Sequence, residues 1–227
     1  MTIGVGFQCQ NGVVLGADTQ FTSPSGFKYS GQKIWSAELG ECRFIYTFCG
    51  SPDTAEIMFR KLREGLEKVK EIPAGQFSKN VLRSKIEEIF YDERAQEQGF
   101  QTLIGASFGH HQPSLYRTNE TKVVDGFVEH IGLGDSSVLR YLTDFLPPEA
   151  CTIAEVYVLA SYYVSVANRY VDGCSGGPAI SVLDMTGIEH SGRGGPLPDQ
   201  QQRFWQCEKR AAKELREQLI SGRTGAD

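Results

Sequence analysis

Thr2 is the residue of this chain that could combine two catalytic groups in one place. Methionine aminopeptidases act where a small side chain follows, so we expect Met1 to be removed. Thr2 would then carry a hydroxyl nucleophile and a free α-amine. The ordinary pKa of an α-amine, roughly 7.7–8.0, suits a general base near neutral pH. A Met-Thr start is common, however, so the prediction depends on the residues that follow.

The first of these residues is Asp18, which the local pattern brings back beside Thr2. Alternating apolar residues from Ile3 and an apolar run at 13–15 flank the pair Asn11-Gly12. This pattern strongly indicates a β-hairpin, and Asn-Gly favours a type I′ turn. Pairing within the hairpin places Asp18, at the end of the second strand, next to the start of the first.

Beyond the hairpin the hydrophobic period alternates between that of strands and that of helices. A loop over 23–31 precedes a short strand that starts at Lys33. Ser51-Pro52-Asp53 is a typical helix start, and Thr152-x-x-Glu155 is a capping box. The predicted strands cover 41–49, 102–108, 114–117, 123–130 and 179–183, and the predicted helices cover 55–69, 81–90, 138–145, 152–170 and 199–219. Such blocks indicate an α+β protein with antiparallel sheets and helices layered outside them.

The composition is that of a globular protein. The 227 residues are 40% hydrophobic and 22% charged, and the formal net charge is −5. This charge argues against a nucleic acid or an anionic membrane as the main partner. No apolar run approaches the ~20 residues that span a bilayer. We expect a single domain over 1–227, with a polar tail at 221–227, in the cytoplasm.

The six cysteines and four histidines lack the spacing of a metal site. The sequence contains no C-x-x-C pair and no H-x-x-x-H pattern, and no secretory signal precedes the cysteines. We therefore expect reduced thiols, and we expect neither a metal nor a cofactor.

Short motifs in register over about residues 2–183 resemble the proteasome β-subunit family, which includes the bacterial HslV peptidase. They are Thr2, Gly6, Gly12-Val13-Val14-Leu15-Gly16-Ala17-Asp18, Thr22, Lys33-Ile34, Gly50, Gly132-x-Gly134 and Asp172-x-x-Ser175-Gly176-Gly177. The resemblance implies the N-terminal nucleophile hydrolase fold. That fold is a four-layer αββα sandwich of two antiparallel sheets flanked by helices.

The resemblance also implies a threonine-type endopeptidase with catalytic residues Thr2, Asp18, Lys33, Asp172 and Ser175. The Thr2 hydroxyl would attack a peptide carbonyl to form an acyl-enzyme, and its own amine would relay the proton. The Lys33 ammonium would lower the pKa of the hydroxyl. Asp18 would pair with Lys33, because an unmatched lysine loses its charge in a dry cleft. Asp172 and Ser175 correspond to residues that orient the amino terminus.

Three positions differ from the usual family pattern. Thr47 stands at the position expected for the oxyanion glycine, where its backbone N–H could still bind the oxyanion. Leu133 replaces a serine that helps to hold the amine, and Gln20 replaces an arginine of many β-subunits. By position, the first specificity pocket would be lined by Phe21, Trp35, Ile45 and Cys49. Mostly apolar walls would favour an apolar or aromatic substrate residue.

The family's assembly implies homo-oligomeric stacked rings that enclose the sites and degrade peptides or unfolded proteins. A regulatory ATPase or an α-type ring would be a candidate partner. Two alternatives stay open. One is a catalytically weak or inactive structural ring subunit that retains Met1, which Leu133 and Thr47 favour. The other is an N-terminal nucleophile amidase that acts on a small molecule.

Overall fold

The computed structural model describes residues 2–23, 25–71, 78–91, 99–119, 122–132, 148–191 and 198–221. The chain divides into two units, Met1–Gly195 and Pro196–Asp227. The first unit contains the described strands and all the residues of the candidate site. The second contains one long helix.

The described strands form two five-stranded antiparallel sheets and one two-stranded ribbon. The first sheet, in the order β10-β1-β2-β11-β12, consists of β1 (Ile3–Cys9), β2 (Gly12–Ala17), β10 (Val128–Gly132), β11 (Ala179–Asp184) and β12 (Ile188–Ser191). The second sheet consists, in spatial order, of β5 (Ile34–Leu39), β6 (Cys42–Cys49), β7 (Gln101–Phe108), β8 (Ser114–Thr118) and β9 (Val123–Asp125). The ribbon pairs β3 (Gln20–Thr22) with β4 (Lys28–Ser30).

The described helices are α1 (Pro52–Glu67), α2 (Lys79–Tyr91), α3 (Ile153–Tyr170) and α4 (Pro198–Ser221), with 3₁₀ turns at Lys68–Glu71 and Pro148–Ala150. Ser51 caps α1, because its hydroxyl accepts hydrogen bonds from the N–H groups of Asp53 and Thr54. Thr152 and Glu155 form the predicted capping box of α3. None of the helices in the described part of the chain is long and apolar enough to cross a membrane.

Three apolar clusters define the layers of the first unit. Side chains alternate along each strand, so each sheet has two faces. Phe44 and Ile104 of the second sheet pack against α1 and α2, whereas Val5 and Phe7 of the first sheet pack against α3. The inner faces of the two sheets share a third cluster that contains Val13, Leu15, Ile45, Leu103, Leu115 and Leu183. The order helices, sheet, sheet, helix confirms the predicted αββα sandwich.

The β1–β2 hairpin is present, but its predicted turn type is wrong. Cys9 pairs with Gly12, so Gln10 and Asn11 form the two-residue loop. Neither residue has the positive φ that a type I′ turn requires. Gly12 lies within the strand instead, where a Cβ atom would come within 2.6 Å of the carbonyl oxygen of Leu183. The glycine therefore permits close strand packing and is not needed for the turn.

The predicted strand over 123–130 is two strands in different sheets. β9 lies at the edge of the second sheet and β10 at the edge of the first, with Gly126-Phe127 at the crossing. β4 lies within the predicted loop over 23–31, and β12 was not predicted. The predicted helix over 138–145, Leu133 and Gly134 lie outside the described residues.

Candidate active site

Three residues at the ends of three strands form one hydrogen-bonded group. Thr2 directly precedes β1, Asp18 directly follows β2, and Lys33 directly precedes β5. The Nζ atom of Lys33 donates to Oγ1 of Thr2 at 3.0 Å. It also donates to both carboxylate oxygens of Asp18, at 2.8 and 2.9 Å. The threonine hydroxyl therefore shares a lysine with a carboxylate, as the resemblance predicts.

The hairpin holds the Asp18 carboxylate through backbone hydrogen bonds. The N–H of Asp18 donates to the Ile3 carbonyl at 3.3 Å, and the N–H of Ile3 donates to Oδ1 of Asp18 at 3.0 Å. The N–H of Gln20 donates to Oδ2 at 3.3 Å. These contacts confirm that pairing of β1 with β2 carries Asp18 back beside Thr2. They also fix the side from which the carboxylate faces Lys33.

The group is almost fully removed from solvent. Thr2 is 6% exposed, and Asp18 and Lys33 are 0% exposed. Burial lowers the pKa of Lys33 below its ordinary value, and the Asp18 charge opposes that shift. Burial likewise raises the pKa of Asp18, opposed by Lys33 and by the N–H groups of Ile3 and Gln20. An ammonium this close to a hydroxyl favours the deprotonated form of that hydroxyl.

Gly132 lies directly against the backbone of Thr2. It pairs with Ile3 across β1 and β10 and has a φ of +77°, which side chains rarely adopt. A Cβ atom at this position would collide with the carbonyl oxygen of Thr2 and would lie 3.2 Å from Sγ of Cys49. Its N–H donates to Oε1 of Gln101 at 3.1 Å. The first glycine of the Gly-x-Gly motif therefore lets the backbone approach Thr2 closely.

A sequence model described as Proteasome subunit matches residues 2–187. The chain belongs to the proteasome subunit family. A search by sequence among curated proteins finds no significant match.

Solved structures of Anbu proteins share the fold of this proteasome subunit. The Gly-1 mutant of Anbu from Hyphomicrobium sp. strain MC1 is 13% identical with a TM-score of 0.79, and the match covers 96% of this chain and 97% of that one. A structure of Anbu from the same strain is 12% identical with a TM-score of 0.71, and the match covers the same shares of the two chains. Anbu (ancestral beta-subunit) from Yersinia bercovieri is 11% identical with a TM-score of 0.72, and the match covers 96% of each chain. At these identities the similarity shows the fold alone.

The turn after α3 carries Asp172 and Ser175. Asp172 is exposed and Ser175 is half-buried. The Ser175 carbonyl accepts a hydrogen bond from the N–H of Gln20 at 3.1 Å, and this bond ties the turn to the Asp18 segment. Within the described part of the chain, neither side chain is hydrogen-bonded to Thr2, Asp18 or Lys33. The structure thus brings the turn to the site through its backbone.

Thr47 lies inside the second sheet and not at its end. It is fully buried and pairs with Ile34 on one side and Leu103 on the other. The N–H of a residue within a central strand points at a neighbouring strand. Its Oγ1 atom has no hydrogen-bond partner among the described residues. The structure therefore argues against Thr47 as the oxyanion donor.

Gly50, which the resemblance includes only as a motif residue, is the better-placed backbone donor. It directly follows β6, is exposed, and has a φ of +130°. Pairing of β5 with β6 ends at Ile34 and Thr47, so β6 continues past that neighbour. Within the described residues the Gly50 N–H has no backbone partner. The sequence signal for Gly50 is a glycine directly after the predicted strand over 41–49.

Two of the four predicted pocket residues lie at the site. The Phe21 ring centroid is 4.8 Å from Nζ of Lys33, and Cys49 lies against Gly132 as described above. Ile45 is fully buried in the cluster between the sheets. Trp35 packs against Tyr46 and Phe59 on the side of the second sheet that faces α1. Strand alternation directs these two side chains to opposite faces of the second sheet, so each belongs to a layer of core packing.

Proposed function

We propose that this proteasome subunit is a threonine-type endopeptidase that hydrolyses peptide bonds through Thr2 at the start of the processed chain. The observation that carries the proposal is the 3.0 Å hydrogen bond from Nζ of Lys33 to Oγ1 of Thr2. The lysine is at the same time paired with Asp18 and fully buried. A threonine with only a structural role would not require a buried, charge-matched lysine at its hydroxyl.

The chemistry follows from the order of these contacts. Removal of Met1 frees the α-amine of Thr2, which takes the hydroxyl proton directly or through a water molecule. Lys33 stabilises the oxygen as it attacks the peptide carbonyl. The amine then gives its proton to the leaving nitrogen, and an ester to Thr2 remains. A water molecule, deprotonated by the same amine, hydrolyses the ester and restores the hydroxyl.

The remaining groups act on charge and orientation. Asp18 keeps Lys33 protonated, since burial alone would favour the neutral amine. We assign the oxyanion to the backbone N–H of Gly50 in place of Thr47, because Gly50 lies beyond the ladder at the strand end. Asp172 and Ser175 would orient the α-amine, and the bond from Gln20 to Ser175 supports their placement.

The substrate class follows from the residues beside the nucleophile. Phe21 and Cys49 present apolar surface next to Thr2, so an apolar or aromatic residue before the scissile bond is favoured. Peptides and unfolded proteins supply such residues in extended form. Neither a metal nor a cofactor is needed, because hydroxyl, amine and ammonium all come from this chain.

Members of the proteasome subunit family generally form oligomeric ring assemblies. We propose homo-oligomeric stacked rings in the cytoplasm, with the Thr2 sites facing an internal chamber. Confinement has a physical purpose, because a peptidase with a broad apolar pocket would otherwise cut other proteins of the cell. A regulatory ATPase or an α-type ring would then control entry.

Hydrolysis of peptides and an unfolded protein by the purified assembly tests the proposal. We expect cleavage after apolar residues, no cleavage by Thr2→Ala, and reduced cleavage by Thr2→Ser, which keeps a hydroxyl. Native mass spectrometry gives the number of subunits. Hydrolysis of small amides but no peptides would indicate the amidase instead. An assembled ring that retains Met1 and hydrolyses nothing would indicate a structural subunit.

A further inference from the structure

The ring of Phe21 covers one side of the Lys33 ammonium. The distance from Nζ to the ring centroid is 4.8 Å, within the range of a cation–π contact. An ammonium has three N–H donors. In Lys33 these face Oγ1 of Thr2 and the two carboxylate oxygens of Asp18. With these three donors used, a neighbour on a further side can stabilise the charge only without accepting a hydrogen bond, and an aromatic face does so.

The Phe21 ring is held in place from several directions. Phe21 pairs with Tyr29 across the β3–β4 ribbon, and the two rings stack with centroids 5.3 Å apart and planes 15° apart. Phe48 packs at 6.2 Å. A Cβ atom at Gly31 would lie 2.7 Å from the Phe21 ring, so the absence of a side chain there leaves room for it. The ring cannot turn away without breaking these contacts.

We propose that Phe21 is a positioning residue, which stabilises and orients the Lys33 ammonium through the face of its ring and is held there by Tyr29 and Gly31. Its effect on catalysis rests on the proposed peptidase function, because it acts through Lys33 on the Thr2 hydroxyl. The contact itself does not depend on that function. The β3–β4 ribbon is thereby a support for the site, and Phe21 is more than a wall of a substrate pocket.

The charged and titratable neighbours of Lys33 decide how large the effect is. They are Asp18, the Thr2 hydroxyl, the thiols of Cys49 and Cys174 and, in the processed chain, the α-amine. Among the described residues Asp18 is the carboxylate that raises the pKa of Lys33, and burial of the lysine lowers that pKa. Cation–π attraction is greatest for a desolvated cation, and Lys33 is fully buried. The ring therefore assists Asp18 in keeping the lysine protonated.

The pKa of Lys33, measured by NMR on protein labelled with ¹³C at the lysine ε-carbon, tests the contact directly. Phe21→Leu keeps apolar bulk but has no aromatic face. We expect the pKa to fall by about 0.4 to 1.5 units, from the usual strength of such contacts and the free energy of one pKa unit. Phe21→Tyr keeps the face and should leave the pKa near that of the wild type.

Phe59→Leu is the matched control, since Phe59 is a ring of the neighbouring aromatic cluster that packs on Trp35, Phe44 and Tyr46. It should leave the Lys33 pKa unchanged. A second variant guards against misfolding: 3,4,5-trifluorophenylalanine at position 21 keeps the ring's shape but weakens the negative charge of its face. The pKa should fall in this variant too. Equal pKa values in the wild type, Phe21→Leu and the fluorinated protein would overturn the proposal.

The rate at which Thr2 reacts with an electrophile, followed against pH, supplies the catalytic readout. In Phe21→Leu the decline at alkaline pH should begin lower by the same amount as the NMR shift. A wild-type Thr2 that does not react at all would contradict the proposed peptidase. In that case the NMR titration would still decide whether Phe21 stabilises the ammonium.

Discussion

Lys33 donates a hydrogen bond of 3.0 Å to the hydroxyl of Thr2, thirty-one positions earlier in the chain. The two residues directly precede strands of different sheets, Thr2 before β1 and Lys33 before β5. Their contact thus depends on the packing of one sheet on the other. Asp18 provides the local link, because it is bonded to both the start of β1 and the lysine.

Replacement of Lys33 by methionine should destabilise the fold as well as abolish activity. The Asp18 carboxylate would stay buried without its partner, so the free energy of unfolding should fall by about 3–5 kcal/mol near neutral pH. Burial raises the pKa of Asp18, and loss of Lys33 raises it further. As pH falls, Asp18 of the variant therefore takes up its proton in the folded protein at a higher pH than in the unfolded chain. The loss of unfolding free energy should then become smaller at acidic pH. Urea denaturation at several pH values measures it.

The double variant Lys33→Met with Asp18→Asn is the control for this prediction. It removes both charges from the interior and should recover much of the stability that the single variant loses, while it stays inactive. A single variant as stable as the wild type at neutral pH would contradict the buried ion pair.

Reactivity of Thr2 should decline at alkaline pH as Lys33 loses its proton. Burial lowers the pKa of Lys33 below its ordinary value of 10.5, so the midpoint of the decline should lie below pH 10.5. Asp18 opposes that shift, and Asp18→Asn should therefore move the midpoint lower still. The measurement is the rate of covalent modification of Thr2 across pH. A midpoint at or above 10.5 is incompatible with a desolvated lysine.

Gly132→Ala should lower the free energy of unfolding by more than replacement of a glycine with positive φ normally does. The new Cβ atom would meet the carbonyl oxygen of Thr2 in addition to the strain of a φ of +77°. Gly40→Ala is the matched control, because Gly40 has a φ of +66° but nothing within 4 Å of its Cβ position. We expect about 1–2 kcal/mol for the control and about 1–3 kcal/mol more for Gly132→Ala. Equal losses of stability in Gly132→Ala and Gly40→Ala would contradict the close packing of Gly132 against Thr2.

Thr47→Val should be tolerated, whereas Gly50→Ala should not. The buried Oγ1 of Thr47 has no partner in the described part of the chain, so valine should leave stability unchanged or raise it by up to about 1 kcal/mol. Alanine at Gly50, with its φ of +130°, should shift the proposed oxyanion N–H and lower kcat at least about tenfold. Steady-state kinetics separates the two. A Gly50→Ala variant with the kcat of the wild type would contradict the oxyanion role of Gly50.

The parts of the site that sequence predicts are those fixed by local pairing. The apolar alternation from Ile3 and the turn near Asn11 suffice to bring Asp18 back to the chain start. The capping box at Thr152 likewise needs only residues three apart. The fold class follows from the order of such elements, because few layered arrangements bury their apolar faces.

The parts that sequence does not predict depend on where distant strands stop pairing. Thr47 and Gly50 are three residues apart, and the end of β5 at Ile34 decides which of them lies at the open edge. The positions of Ile45 and Trp35 depend on the layers above and below the second sheet. One face of that sheet packs on helices and the other on the first sheet, so both side chains belong to core layers. The contact of Phe21 with Lys33 needs the β3–β4 ribbon, in a segment whose composition indicates a loop.

The intact mass of the purified protein, before and after reaction with a peptide epoxyketone, tests the central claim most directly. This electrophile needs both the hydroxyl and the free amine of an N-terminal threonine to form its ring adduct. We predict a chain that begins at Thr2, gains the mass of one inhibitor at that residue, and gains nothing in Thr2→Ala. A chain that retains Met1, or one that begins at Thr2 and stays unmodified, would contradict Thr2 as the nucleophile.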